Sequence, residues 1–167
     1  IEEINFDSRK HVLSYDDVLN IQRQSIYERR RTLLIGGDHA IDNELERLSE
    51  ADISIIEEGS YENVSPVASS FSTAIETKKK EFGDSFYVAV RRFLLQTIDY
   101  LWVENLEAME YLRSSVNLRA YGQRDPLVEY KKEGLRLFKQ MEESYTANVK
   151  TVLPNISPSG APVARES

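Results

Sequence analysis

The sequence predicts an all-α protein, and three observations carry that prediction. Apolar side chains recur at steps of three and four along 86–116 and again along 127–149. A third stretch, 3–35, repeats at steps of three, four or seven through Val12, Tyr15, Leu19, Arg23, Ile26 and Leu33. One glycine pair, a Gly-Asp step and one Asp-Pro step punctuate these stretches where helices should end or begin.

The elements follow in order. Residues 3–35 read as one long helix, with Asp7 or Ser8 able to cap a slightly later start. Arg29, Arg30 and Arg31 sit near its C-terminal end, where cations suit the macrodipole. Some 30 residues at about 1.5 Å each would make a strut of roughly 45 Å. Gly36-Gly37-Asp38 stops it. A short acidic helix is expected over 40–50 through Ile41, Leu45 and Leu48. Residues 51–66, with Gly59, Ser60 and Pro66 among three isoleucines, read as a loop with room for one short strand. Residues 67–82 are predicted helical, and Gly83-Asp84 supplies a break and a cap.

From Asp84 one stripe climbs through Phe86, Val90, Leu94, Ile98, Leu101, Asn105, Met109, Leu112 and Val116. The short polar segment 119–126 ends in Asp125-Pro126, with proline at the first helical position, where its missing N–H is harmless. A return helix from 127 to about 150 faces Leu127, Tyr130, Gly134, Phe138, Met141, Tyr145 and Val149 inward. A short turn between two such helices implies an antiparallel pair. Residues 151–167 carry Pro154, Pro158 and Pro162 with serine and glycine between, and read as a flexible tail. The expected organisation is therefore 1–35, 36–83, 84–150 and 151–167.

With 167 residues, 41% of them hydrophobic, the chain has room for one ordinary domain with a modest core. It opens at Ile1 inside what reads as an element, so a longer parent polypeptide is expected. No apolar run approaches the length that spans a bilayer, and no secretory leader is expected on the segment itself. Without cysteine there are no disulfides and no thiolate metal sites. The net charge of −7 argues against nonspecific nucleic-acid binding. That charge is concentrated: residues 36–62 hold nine acidic side chains against Arg47 alone.

No reaction centre is legible. The phosphate-loop pattern GxxxxGK[ST] is absent, and Gly36-Gly37 follows a helix, the wrong end for anions. A di-iron bundle needs Glu-x-x-His pairs, and neither His11 nor His39 has a glutamate three residues before it. Glu107 and Glu110 share a face and read as a solvated pair. Ser8, His11 and Asp7 point in different directions on one helix, so a catalytic triad fails geometrically. Catalytic, cofactor and metal residues are therefore expected to be absent from this segment.

Three features remain. Tyr15-Asp16-Asp17-Val18 on the first helix reads plainly as a surface acidic pair beside a buried tyrosine. Trp102, the sole tryptophan, lies on the hairpin stripe and reads first as core. Tyr121, between Arg119 and Arg124 at the hairpin tip, has no packing reason to be there, and an exposed tyrosine is suited to contact.

Two of these regions resemble a known family. Asn5-Phe6-Asp7-Ser8-Arg9-Lys10-His11-Val12-Leu13-Ser14-Tyr15-Asp16-Asp17-Val18-Leu19-Asn20-Ile21-Gln22-Arg23 resembles the start of the helical scaffold of SecA, the preprotein translocase ATPases. Leu95 through Trp102, followed by Arg119-Ala120-Tyr121-Gly122-Gln123-Arg124-Asp125-Pro126, resembles the SecA two-helix finger. The segments between would be the helical wing, here shorter than usual. The chain also has Val103-Glu104-Asn105-Leu106 where the family usually has Lys-Glu-His-Leu, and Ala120 and Gly122 are exchanged. The cysteine-rich zinc segment of the family tail is missing from it.

The resemblance implies a scaffold-and-finger segment that follows nucleotide-binding domains in the same polypeptide. ATP and magnesium would belong to those upstream domains. It implies that Tyr121 touches a translocating, unfolded preprotein, with Arg119, Gln123 and Arg124 flanking it at the mouth of a SecY-type channel. Trp102, Arg23 and Asp17 would couple the segment to the motor. Implied partners are the upstream domains, the channel, the preprotein and a second copy in a homodimer, with no nucleic acid. The implied location is cytoplasmic and peripheral at an inner membrane, or the plastid stroma and thylakoid. The rival reading of the same hairpin is a stand-alone helical adaptor.

Overall fold

The computed structural model describes residues 2–50, 66–119 and 125–158. Five helices are placed: α1 (Glu2–Ile35), α2 (Gly37–Glu50), α3 (Pro66–Phe82), α4 (Phe86–Arg119) and α5 (Pro126–Val152). Short 3-10 turns occupy Gly83–Ser85 and Leu153–Asn155. Every regular element among the described residues is helical, as the apolar spacing predicts. Residues 51–65, including the expected loop and short strand, and residues 159–167 lie outside the described residues.

Helix ends follow local chemistry. Asp7 and Ser8, weighed as a cap, fall inside α1. At its other end the Gly36 amide donates to the Thr32 carbonyl at 2.8 Å, and Gly37 adopts a left-handed φ of 67°. A side chain at 36 would meet the Thr32 carbonyl oxygen at 2.5 Å, so only glycine fits there. Gly37 is also the first residue of α2, which therefore starts three residues before the expected position 40. Gly83, at φ 52°, breaks α3 from α4. The expected cap from Asp84 is not formed: Asp84 is exposed, and Ser85 Oγ donates to the Phe82 carbonyl at 2.7 Å. Asp125 is a true N-cap, its Oδ1 accepting from the Leu127 amide at 2.9 Å just ahead of Pro126.

The described residues fall into two compact units, each discontinuous in sequence. The first takes residues 1–30 and 98–144, and the second takes 31–97 and 145–167. The expected divisions at 35/36 and 83/84 follow helix ends, whereas these units follow packing.

In the second unit, Leu33, Ile41, Leu48, Phe86, Val90, Leu94, Tyr145 and Val149 are buried. Helix α3 contacts α2 and the Leu153–Asn155 turn. The carboxylate of Asp42 accepts from the Tyr87 hydroxyl at 3.0 and 3.2 Å, and Lys79 Nζ lies 3.5 Å from its Oδ1 and 5.0 Å from the Tyr87 ring centre. Arg91 Nε donates to the Leu33 carbonyl at 3.0 Å, which occupies one of the otherwise unpaired acceptors in the last turn of α1.

This unit also corrects the expectation of a tail from residue 151. Thr151 and Val152 remain in α5, and the 3-10 turn that follows places Leu153 at 0% exposure. Pro154 stands inside that turn, where its fixed φ and missing amide cost little. A single buried leucine supplies the apolar anchor that a count of prolines concealed.

Candidate functional site

The first unit brings α1, α4 and α5 together, and pairwise contacts define their directions. Arg30 binds Asp99 through two hydrogen bonds at 2.6 and 3.0 Å, while Arg113 Nη1 reaches Asp16 at 3.1 Å. The α1 partner rises as the α4 partner falls, so these helices are antiparallel. Tyr15 packs on Tyr130, ring centres 4.9 Å apart, and Arg29 pairs with Glu142 at 2.7 Å. There both numbers rise together, so α5 runs parallel to α1. Arg119 bonds to Glu133 at 3.0 Å, which ties the end of α4 to the return helix. The antiparallel hairpin expected from the short turn is present.

All nine stripe positions predicted on α4, from Phe86 to Val116, are buried, and so is Trp102. On α5, Tyr130, Gly134, Met141, Tyr145 and Val149 are buried as expected, while Leu127 and Phe138 are half-buried. The α1 stripe needs correction. Val12 is exposed and Arg23 half-buried, whereas Gln22, beside it, is 5% exposed. Among the α1 residues whose side chains are described, burial falls on Tyr15, Gln22, Ile26 and Leu33, at steps of seven and four. The expected macrodipole role for Arg29 to Arg31 is also revised. The last turn of α1 holds no basic residue, and Arg29 and Arg30 serve instead as tertiary ion-pair partners.

A polar contact lies at the centre of this apolar junction. Gln22 Nε2 donates to the Gly134 carbonyl at 3.0 Å, and Asn105 Nδ2 donates to Gln22 Oε1 at 3.0 Å. Gln22 Nε2 also lies 3.9 Å from Met109 Sδ. Asn105 is 4% exposed, and its Oδ1 finds no partner among the described residues. A Cβ at position 134 would approach Met109 Cε to 2.9 Å and Val18 Cγ1 to 3.7 Å, so the bare glycine lets the three helices close. Tyr15, Met109, Leu112, Val116 and Tyr130 form the adjoining core.

Burial is the main cause that raises both phenols in this core above their usual range. For Tyr15 the nearby Asp125 adds to the rise and Arg113 opposes it. For Tyr130 Arg113 likewise opposes, while Asp16 and Tyr15 add. The Arg113 guanidinium sits 5.4 Å from the Tyr15 ring centre, a cation over an aromatic face.

The candidate residues are placed unevenly. Tyr121, Gln123 and Arg124 lie outside the described residues. Arg119 is exposed and donates to Glu133 and, at 3.0 Å, to Ser115 Oγ. Arg23 turns to its own helix, donating to Asn20 Oδ1 at 2.6 Å. Asp17 is exposed, and it is the neighbouring Asp16 that binds the hairpin. Sequence reasoning missed Gln22, Asp16 and Arg113 as cross-helix groups. A glutamine in register with Tyr15 and Ile26 was the available signal. Among the described residues no helix is long and apolar enough to cross a membrane.

Comparison with known proteins adds to this geometry. A family model described as the SecA wing and scaffold domain matches residues 1–67 and 41–157. The protein translocase subunit SecA of Symbiobacterium thermophilum is 34% identical over 192 residues, which takes in 86% of this chain and 21% of that protein. The SecA subunit of Microcystis aeruginosa is 34% identical over 206 residues, 98% of this chain and 22% of its own length. That of Acidiphilium cryptum is 32% identical over 195 residues, 93% and 21% respectively. The chain thus spans about a fifth of the length of the curated relatives it matches. An alignment of 206 positions against 167 residues leaves at least 39 positions of the Microcystis protein with no counterpart here.

Proposed function

This chain belongs to the SecA wing and scaffold family, and from that premise we propose that it is the non-catalytic scaffold and finger of a SecA-type, ATP-driven protein translocation motor. The observation that carries the proposal is the family match, which runs through α1 and through both helices of the hairpin. ATP and magnesium are assigned to nucleotide-binding domains elsewhere in the full-length protein. This segment supplies mechanics: two packed helices resist bending, so a displacement at one end reaches the other.

In this proposal residues 120–124, between α4 and α5, meet the unfolded preprotein at a SecY-type channel, on the cytoplasmic side of the membrane. Tyr121 grips many sequences because a phenol ring offers apolar area and one polar handle together. Arg119 holds the base of the tip through Glu133, and Gln123 and Arg124 complete the contact. Trp102, Arg23 and Asp17 link the hairpin and α1 to the motor. Such a role demands a stiff α1–α4–α5 junction, and the ion pairs and buried core described above support that demand.

The test is Tyr121→Ala in the full-length protein. Preprotein translocation should fall several-fold while unstimulated ATP hydrolysis stays near the parent value. Equal loss of both activities would refute a gripping role.

A further inference from the structure

The buried stripes at the junction repeat on a heptad. On α4 they fall at Ile98, the adjacent pair Leu101 and Trp102, Asn105, Met109, Leu112 and Val116, so that Ile98, Asn105 and Leu112, and likewise Trp102, Met109 and Val116, recur every seven residues. On α1 they fall at Tyr15, Gln22 and Ile26 within the same unit. A strict heptad has a known weakness. Sliding one helix by seven residues, about 10 Å along its axis, again sets apolar side chains against apolar side chains. Shape alone discriminates poorly between such registers.

The exposed ion pairs at either end of the junction do little to remove the ambiguity. Arg30–Asp99 and Arg113–Asp16 have side chains between 40% and 49% exposed, and solvent screens pairs of that kind, while the less exposed Arg29–Glu142, at 22% and 25%, ties α1 to α5 at one end alone. Gln22 and Asn105 differ from them in being buried and in interrupting both stripes at matching height. In any other register each amide would face hydrocarbon with its hydrogen bonds broken.

We propose that Gln22, Asn105 and the Gly134 carbonyl form a register pin, which sets the lengthwise position of α1 against the α4–α5 hairpin and stabilises the fold little. The unpartnered Asn105 Oδ1 supports this division of labour, since a group kept for stability would not leave a buried acceptor empty. Gly134 completes the device. Its missing side chain lets Met109 close over the helix backbone while Gln22 reaches the carbonyl. Single polar residues at core positions of coiled coils fix register in the same physical way. The inference stands apart from the translocation reading, because register is a property of the three helices alone.

The test is a distance measurement. Spin labels at the exposed positions Asp17→Cys and Tyr100→Cys are placed in the full-length protein, where this segment contributes no competing cysteine. The parent should give one narrow distance. The variant Gln22→Leu/Asn105→Leu should keep its helicity and melting temperature but add a second population displaced by up to about 10 Å, seven residues of rise. The exchanged pair Gln22→Asn/Asn105→Gln retains two amides and should keep the single distance. One unchanged distance in the leucine variant would overturn the proposal, because apolar shape and ion pairs would then suffice. Loss of the fold in that variant would overturn it equally, by showing that the amides mainly stabilise. A split distribution in the exchanged pair would also count against it.

Discussion

The amide pair at the junction makes an unequal prediction for its two single substitutions. Gln22→Leu breaks both hydrogen bonds of 3.0 Å and leaves the Asn105 amide with neither end satisfied. A lost hydrogen bond is worth about 1 kcal/mol and a stranded buried polar group about 1–3 kcal/mol, so the variant should lose about 2–3 kcal/mol. Asn105→Leu breaks one bond and strands Gln22 Oε1, but it also deletes an acceptor that already had no partner. Its cost should be smaller, about 1 kcal/mol. The double variant removes every stranded group and puts branched apolar side chains in their place, so it should return to within about 1 kcal/mol of the parent. The pair should therefore couple by about 2 kcal/mol or more, well outside the additivity expected of independent sites. Urea unfolding of the chain followed by Trp102 fluorescence reads this directly, because Trp102 is the sole tryptophan, is buried, and lies in the same unit. Single effects that simply add in the double variant, or a larger loss from Asn105→Leu than from Gln22→Leu, would refute the reasoning.

Other predictions concern caps, packing and protons. Asp125→Ala removes the 2.9 Å N-cap of α5 and should cost about 1 kcal/mol, lowering the melting temperature by about 2–4 °C, while Asp125→Asn should behave as the parent. Leu153→Ala empties a fully buried position in the terminal 3-10 turn and should cost about 2–5 kcal/mol, with earlier protease cleavage near the end of α5. Tyr15 and Tyr130 should ionise above the usual phenol value of 10.0 in an ultraviolet pH titration, since burial raises both. The sign for stability follows from linkage. The unfolded chain loses these protons first, so their contribution is full below pH 10 and declines as pH rises toward the folded values. Unfolding free energy should therefore fall above pH 10, and Tyr130→Phe should reduce that fall.

Much of the fold could be read from one dimension because helices are made by neighbours. Steps of three and four named nine buried positions on α4, all but the adjoining Trp102, and Asp125-Pro126 located the start of α5 to within a residue, since a cap and a missing amide act within a single turn. Gly36-Gly37 likewise marked the end of α1, where a left-handed φ is needed. The family resemblance was equally a matter of linear pattern, and the wing-and-scaffold match agrees with it.

Pairing between helices obeyed no such local rule. That Asp16 rather than Asp17 meets the hairpin, that Arg30 joins Asp99, and that Gln22 rather than Arg23 enters the core all depend on how far one helix is slid and turned against another. Periodicity fixes the face of a helix only to within a residue, and its seven-residue repeat leaves the axial offset open. Only three-dimensional packing, in which buried amides must find partners and a bare glycine admits close approach, selects one offset and with it the polar contacts of the junction.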